Sequence, residues 1–231
     1  ARTLNVWLPF YPAGTKERIV EYGDIVTAMT LARLISATPR LASGEAARFH
    51  IYDIHAETEG FYFGKDVQYV PHTAIPFFVS ELKKLPNFEH VNIAFPDEGA
   101  AKRFGNLLKE FRNPVLYHKE RYGEDRKLVL VEGDPRGKDM WIVDDLATTG
   151  NTLLKCRQKL MEQGAKSVSV YVTHGVFPQG RWQRMCDSAG FANIWITDSC
   201  PATAQAVEGR EPFRVLSLVP ELAEMISSSS E

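Results

Sequence analysis

Cysteine is scarce in this sequence, and its spacing suggests neither a metal site nor a disulfide framework. Cys156, Cys186 and Cys200 are the three cysteines among 231 residues, and no two of them form a CxxC pair. Structural zinc sites and small disulfide-rich domains need closer and more numerous cysteines. We therefore expect three buried, reduced thiols and a reducing, cytoplasmic location.

Long apolar runs and an excess of basic residues are also missing. No stretch approaches the roughly 18 apolar residues that a membrane-spanning helix needs. Lys and Arg number 27 against 29 Asp and Glu, which gives a net charge of −2. We therefore expect neither a membrane nor a nucleic-acid partner. A GxxxxGK phosphate loop is absent too, which argues against a P-loop NTPase.

The amino terminus has neither an initiating methionine nor a signal-peptide pattern. The chain opens at Ala1 and enters an apolar, strand-like run at once, without a charged segment or a small-residue cleavage site. We interpret this abrupt start as a sign that further residues precede Ala1.

What is present is an alternation of apolar strands and amphipathic helices. Hydrophobic residues make up 44% of the chain and charged residues 24%, as in an ordinary globular protein. Strands are predicted at residues 4–10, 49–54, 91–95, 114–118, 140–143, 168–173, 194–197 and 215–218. Helices are predicted at residues 25–35, 73–85, 100–111, 152–163, 181–189, 202–207 and 220–226. The alternation predicts an α/β fold with mostly parallel sheets flanked by helices.

Two features interrupt this alternation. The proline-bounded segment 71–76 predicts a joint between an N-terminal lobe, residues 1–70, and a C-terminal domain, residues 71–231. Residues 122–137 are polar around an extended LVLV run at 128–131, which predicts either a hairpin arm or a mobile flap.

Residues 142–152, with the sequence IVDDLATTGNT, carry the strongest chemical signal. An apolar strand delivers two carboxylates, and a turn of small and hydroxyl residues then enters a helix. Backbone N–H groups at a helix N-terminus bind phosphate, and adjacent carboxylates accept hydrogen bonds from a sugar diol or hold a divalent cation through water. The alternative is an ordinary strand end followed by a capped helix. The candidate ribose 5-phosphate ligands are Asp144, Asp145, Thr148, Thr149, Gly150, Asn151 and Thr152.

This segment resembles the signature of type I phosphoribosyltransferases and of ribose-phosphate pyrophosphokinases, the synthetases of phosphoribosyl pyrophosphate (PRPP). Further segments are similar to motifs of the synthetases rather than of the transferases. They are YDIHA at 52–56, FPDEGAAKR at 95–103, KER at 119–121, GAKSV at 164–168 and THGVF at 173–177. LPFYP at 8–12 looks like the class II synthetases known from plants.

The resemblance implies a fold, a reaction and a set of site residues. The fold would be type I phosphoribosyltransferase-like, with one complete C-terminal domain and a partial N-terminal lobe. The reaction would transfer pyrophosphate from ATP to ribose 5-phosphate, with Lys119 and Arg121 as catalytic residues and with His55 and Asp97 as Mg²⁺ ligands. ATP, ribose 5-phosphate and further copies of the chain would be its partners. The nucleotide-binding residues stay unknown, because the family's N-terminal segment, which supplies adenine contacts, is missing before residue 4.

Two other functions stay open at this point. A synthetase-like regulatory subunit would bind sugar phosphates without catalysis, although its ribose loop would then be expected to be damaged. A nucleobase phosphoribosyltransferase would consume PRPP instead of forming it. Within these motifs, Lys102 and Arg103 are expected to be surface charges on the first turn of a helix, with nucleotide contact as the alternative, and His174 is open between a core and an active-site role.

Overall fold

Two parallel sheets organise the chain, one in each of two units. The computed structural model describes residues 3–122, 125–187 and 190–228. The chain divides into the units Ala1–Ala74 and Ile75–Glu231, and the division lies inside the proline-bounded segment 71–76. Among the described residues, no helix is long and apolar enough to cross a membrane.

The first unit contains, in its described part, a sheet of three parallel strands in the order β1-β2-β3. Its elements are β1 (Asn5–Leu8), α1 (Thr27–Ser36), β2 (Ala47–Tyr52), a 3₁₀ helix (Glu57–Tyr62) and β3 (Val67–His72). Ala28 of α1 packs with Ile51 and Ile54 in the core of this unit. Strand β3 is not predicted from the sequence; it contains Pro71, a residue that a strand at the edge of a sheet tolerates.

The second unit contains, in its described part, a sheet in the order β10-β9-β8-β7-β4-β5-β6. Its strands are β4 (Val91–Phe95), β5 (Val115–Tyr122), β6 (Asp125–Glu132), β7 (Asp139–Ala147), β8 (Ser167–Gly175), β9 (Ile194–Thr197) and β10 (Phe213–Leu216). Its α-helices are α2 (Ile75–Leu82), α3 (Glu98–Phe104), α4 (Asn151–Glu162), α5 (Gln183–Asp187), α6 (Pro201–Val207) and α7 (Val219–Ser228). Short 3₁₀ helices span Phe88–His90 and Pro178–Gly180.

Strand β7 lies near the middle of this sheet and is buried on both faces. Met140 and Ile142 pack into a core that includes Leu153 of α4, whereas Trp141 and Val143 pack into the opposite core with Phe78 of α2. A continuous apolar run is typical of a strand whose two faces are covered by helices. The prediction of parallel sheets flanked by helices is therefore confirmed.

The pairing of β5 with β6 is antiparallel, in contrast to the other strand pairs described for this sheet. The register places Lys119 opposite Leu128 and Arg121 opposite Arg126. Of the two forms that the sequence left open for this arm, the structure shows the hairpin.

Several predicted boundaries are wrong. Helix α3 ends at Phe104, whereas the spacing of apolar residues predicts a helix over 100–111. After Gly105 the chain runs in turns, but Leu108 and Phe111 are still buried. Their burial explains why the apolar spacing continues beyond the end of the helix. Strand β1 stops before Pro9, which cannot donate to a ladder, and β10 begins at Phe213 rather than residue 215.

The three cysteines differ in their surroundings. All three are free thiols, but only Cys156 is fully buried, whereas Cys186 and Cys200 are partly exposed. Burial raises the pKa of the Cys200 thiol to about 11. Since the thiolate is the reactive form, Cys200 is a poor nucleophile.

Candidate ribose-phosphate site

The candidate site lies at the carboxyl end of β7. Asp144 and Asp145 are the sixth and seventh residues of this strand, and α4 begins at Asn151 after the turn that follows. Asp145 is buried and Asp144 is partly buried, whereas Thr148 and Asn151 are exposed. The structure thus brings the predicted carboxylates and the predicted hydroxyl turn together at one edge of the sheet.

The turn into α4 depends on Gly150. This residue has a φ of 73°, in the left-handed region, and a Cβ placed on it would lie 2.6 Å from the sulfur of Met185. The Asn151 amide donates to the Thr149 hydroxyl at 3.3 Å, and Arg184 donates to the Asn151 side-chain oxygen at 3.1 Å. The first amides of α4 have no acceptor inside the helix and lie at its positive end, where an anion is stabilised.

Asp144 lies close to two other carboxylates, those of Asp145 and Asp97. The Asp145 amide donates to Asp144 Oδ1 at 3.0 Å. Burial, followed by the negative charges of Asp145 and Asp97, raises the pKa of Asp144 well above its ordinary value. A sugar hydroxyl that donates to this cluster, or a cation that binds it, would relieve the repulsion.

Asp97 occupies the corresponding place after the neighbouring strand. It follows β4, which pairs with β7, and it is the N-cap of α3, with Oδ1 accepting from the Ala100 amide at 3.0 Å. In the described residues no group of three or more His, Cys, Asp or Glu side chains forms a metal site. A Mg²⁺ ion here would therefore draw most of its ligands from water and substrate phosphates, which is how Mg²⁺ is ordinarily bound.

The prediction of a surface charge on the first turn of a helix is wrong for Arg103. It lies in the last turn of α3, not the first, and its side chain is 13% exposed. Its guanidinium Nη1 lies 3.2 Å from Asp145 Oδ2. The expected surface charge is thus an inward-facing partner of the carboxylate pair. No local pattern could have revealed this, because the pairing joins residues 42 positions apart in the sequence.

His55 and Asp97 belong to different units. In the first unit, His55 is exposed and follows β2 through a turn in which Asp53 has a φ of 36°. The Asp53 carboxylate accepts from the Ala74 amide at 3.0 Å, and its own amide donates to the His72 carbonyl at 2.9 Å. These bonds fix the turn that presents His55, while its pairing with Asp97 around one ion stays a prediction.

Lys119 and Arg121 lie on β5 of the hairpin. Their backbone positions are given by the register with β6, but their side chains are outside the part of the chain that the structure describes. Their predicted catalytic role therefore stays a prediction.

His174 lies in a buried polar network at the carboxyl ends of β8 and β9. Its Nδ1 is 2.9 Å from the Ser199 hydroxyl, which in turn donates to the Thr173 carbonyl at 3.1 Å. The donor in the contact between His174 and Ser199 depends on the tautomer of the imidazole. This contact favours the core role among the two that the sequence left open.

Comparison with known proteins places this arrangement in a family. The phosphoribosyl transferase domain family matches residues 77–204. Ribose-phosphate pyrophosphokinase 3, chloroplastic, of Oryza sativa subsp. japonica is 46% identical over 222 residues, which cover 94% of this chain and 54% of that protein. Ribose-phosphate pyrophosphokinase 4 of the same species is 46% identical over 225 residues, which cover 95% of this chain and 69% of that protein.

A solved structure agrees with these relatives. The phosphoribosylpyrophosphate synthetase of Mycobacterium smegmatis superposes with a TM-score of 0.79 at 25% identity, covering 99% of this chain and 72% of that one. The chain thus spans roughly half to seven-tenths of the length of these proteins. On this identity and coverage, the chain belongs to the ribose-phosphate pyrophosphokinase family.

Proposed function

We propose that the protein is a ribose-phosphate diphosphokinase, which transfers the pyrophosphoryl group of ATP to the anomeric hydroxyl of ribose 5-phosphate and yields PRPP and AMP. The observation that carries the proposal is the pair Asp144–Asp145 at the end of β7, followed by a hydroxyl turn and the N-terminus of α4. Membership in the family supports the same reaction.

Ribose 5-phosphate has two groups that fit this edge of the sheet. Its dianionic phosphate suits the first amides of α4 and the hydroxyls of Thr148, Thr149 and Thr152, with Gly150 and Asn151 completing the turn. Its 2- and 3-hydroxyls suit Asp144 and Asp145, which accept hydrogen bonds as carboxylates. Binding both ends would orient the anomeric hydroxyl for reaction.

In the reaction, the anomeric oxygen forms a bond to the β-phosphorus of ATP as the bond from that phosphorus to the α–β bridging oxygen breaks. AMP leaves with the bridging oxygen, and the hydroxyl proton passes to solvent. We propose that Lys119 and Arg121 on the hairpin stabilise the charge that develops on the transferring phosphates.

Magnesium is the cofactor that we propose, with His55 and Asp97 as its protein ligands. Asp97 follows β4, which pairs with β7, and Mg²⁺ ordinarily draws most of its ligands from water and phosphate oxygens, so few protein ligands suffice. The ion would neutralise phosphate charge when bound.

Three coarser features of the proposal follow from family and composition. We propose that residues 71–231 bind ribose 5-phosphate and that residues 1–70 belong to the second lobe. We also propose a homo-oligomer, which light scattering after gel filtration tests.

The few free cysteines favour the cytoplasm, while a rice relative is named chloroplastic. A fluorescent fusion of the full-length protein decides the location.

The proposal is tested by AMP and PRPP formation from ribose 5-phosphate and Mg-ATP. We expect the parent chain to form both, Asp145→Asn to abolish formation, and Asp139→Asn, at the other end of β7, to retain it. Ribose 5-phosphate binding without AMP would support a regulatory subunit. Consumption of PRPP with a nucleobase would support a transferase. If a folded parent chain neither binds ribose 5-phosphate nor forms AMP, the proposed ribose site itself is overturned.

A further inference from the structure

Helix α3 connects two parts of the candidate site through its two ends. Asp97 caps its first turn, and Arg103 extends from its last turn to Asp145. The helix has seven residues, so a carboxylate and a guanidinium lie about two turns apart on one rigid element.

The contact between Arg103 and Asp145 is largely shielded from water. The side chains are 13% and 8% exposed, and the two charged atoms lie 3.2 Å apart. The guanidinium carbon also lies 5.3 Å from the centre of the Phe104 ring. An ion pair in such surroundings is screened less than a surface pair, and removing one partner leaves a buried charge.

The pair also lies where negative charge accumulates. Burial, followed by the negative charges of Asp145 and Asp97, raises the pKa of Asp144. An arginine held against Asp145 fixes its rotamer, because the planar guanidinium imposes a direction on the carboxylate. A carboxylate that is fixed before the sugar arrives loses less conformational entropy on binding.

We propose that Arg103 is a positioning residue for sugar recognition, which holds Asp145 through Oδ2 in the orientation that accepts a ribose hydroxyl. The inference rests on the proposed function, since it assigns Arg103 a role at the proposed ribose site. Arg103 acts through Asp145 and not through the phosphate turn. It should therefore affect ribose 5-phosphate and leave a ligand without the sugar unaffected.

The test measures the binding of two probes, ribose 5-phosphate and inorganic phosphate, by titration calorimetry without nucleotide. We expect Arg103→Gln to weaken ribose 5-phosphate binding about tenfold, as for the loss of a charged hydrogen bond, and to leave phosphate binding unchanged. Arg103→Lys should restore part of the affinity. Lys102→Gln, which removes the same charge from the adjacent exposed residue of α3, is the matched control and should bind like the parent.

A double-mutant cycle separates positioning from a general structural role. Arg103→Gln should cause no further loss in an Asp145→Asn background, because its partner is already gone. Equal weakening of both probes, independent losses in the cycle, or parent-like binding by Arg103→Gln would each overturn the inference. Thermal unfolding of every variant shows whether it is folded. If Arg103→Gln does not fold, the same two titrations are made with Arg103→Lys. A folded parent that binds no ribose 5-phosphate overturns the proposed function, and the inference with it.

Discussion

Asp139 and Asp144 are carboxylates near opposite ends of strand β7, and their surroundings are opposite as well. At the amino end, Asp139 accepts from the Ser167 hydroxyl at 2.6 Å and from Lys166 at 3.0 Å. The Ser167 hydrogen bond is the largest of the effects that lower the pKa of Asp139. Near the carboxyl end, burial and two neighbouring carboxylates raise the pKa of Asp144 instead.

The difference separates a carboxylate that stabilises the fold from one that the proposed ribose site would use. Donors surround Asp139, so its charge stabilises the folded chain. The charge of Asp144 opposes folding, and the residue lies near the point where strand, turn and helix meet. Groups whose environment disfavours their ordinary charge state cluster at functional sites, because a ligand can relieve what the protein leaves unfavourable.

The largest difference that we expect between the two ends of β7 concerns the glycines that flank this strand. Gly137 precedes the strand with a φ of 71° and open space around its Cβ position, whereas Gly150 follows it with a φ of 73° and the Met185 sulfur at 2.6 Å. Gly137→Ala carries only the left-handed backbone penalty, about 1–2 kcal/mol. Gly150→Ala adds overpacking of about 1–3 kcal/mol and displaces the phosphate turn.

Urea unfolding and ribose 5-phosphate titration of both variants check this prediction. Gly150→Ala should lose more stability than Gly137→Ala, and it alone should lose affinity. If both variants bind ribose 5-phosphate like the parent, the turn at Gly150 does not hold the phosphate.

A second prediction uses pH to compare the two aspartates, with EDTA present to exclude metal. The folded pKa of Asp139 lies below the unfolded value of about 4, so its stabilisation is present above that value and is lost as pH falls through the folded pKa. The folded pKa of Asp144 lies above the unfolded value. Its unfavourable contribution is therefore absent at low pH and grows as pH rises from about 4 through the folded pKa.

The free energy of unfolding of Asp139→Asn and Asp144→Asn, measured from pH 3 to 8, should therefore diverge. Relative to the parent, Asp139→Asn should become less stable and Asp144→Asn more stable as pH rises. The same direction of change in both variants would contradict the electrostatic contrast between the ends of β7.

The smallest effect should come from the exposed partner of Asp139. The Lys166 side chain is 67% exposed, and surface ion pairs contribute about 1 kcal/mol or less. Lys166→Met should change stability by less than about 0.5 kcal/mol, whereas Ser167→Ala should cost about 1 kcal/mol because it removes a partly buried hydrogen bond. Paired denaturation curves decide; a larger loss for Lys166→Met would mean that Asp139 is held by charge rather than by the hydroxyl.

Features that depend on local sequence could be predicted. The apolar run of β7, its two carboxylates and the turn into α4 follow one another within residues 139–162. Their order alone predicted the strand and the helix that the structure shows, and it also predicted the candidate site. The turn needs a left-handed backbone at position 150, and glycine adopts this conformation without a steric penalty.

Features that depend on distant residues could not be predicted in the same way. Arg103 reads as a surface charge because nothing near it in sequence shows that Asp145 is its partner. Strand β3 is missed since its proline argues against a strand until its place at the sheet edge is known. The roles proposed for His55, Lys119 and Arg121 came from family resemblance, since a lone histidine or a Lys-x-Arg pair does not by itself indicate a reaction.

Hydrogen exchange of the amides at the two ends of β7, with and without ribose 5-phosphate, tests the central claim most directly. We predict slower exchange on ligand addition in the segment 144–153, which contains the carboxylates and the first amides of α4, and unchanged exchange in the segment 134–140 at the amino end. Protection of residues 134–140, or no protection of 144–153 at saturating ligand, would contradict the assignment of the ribose 5-phosphate site.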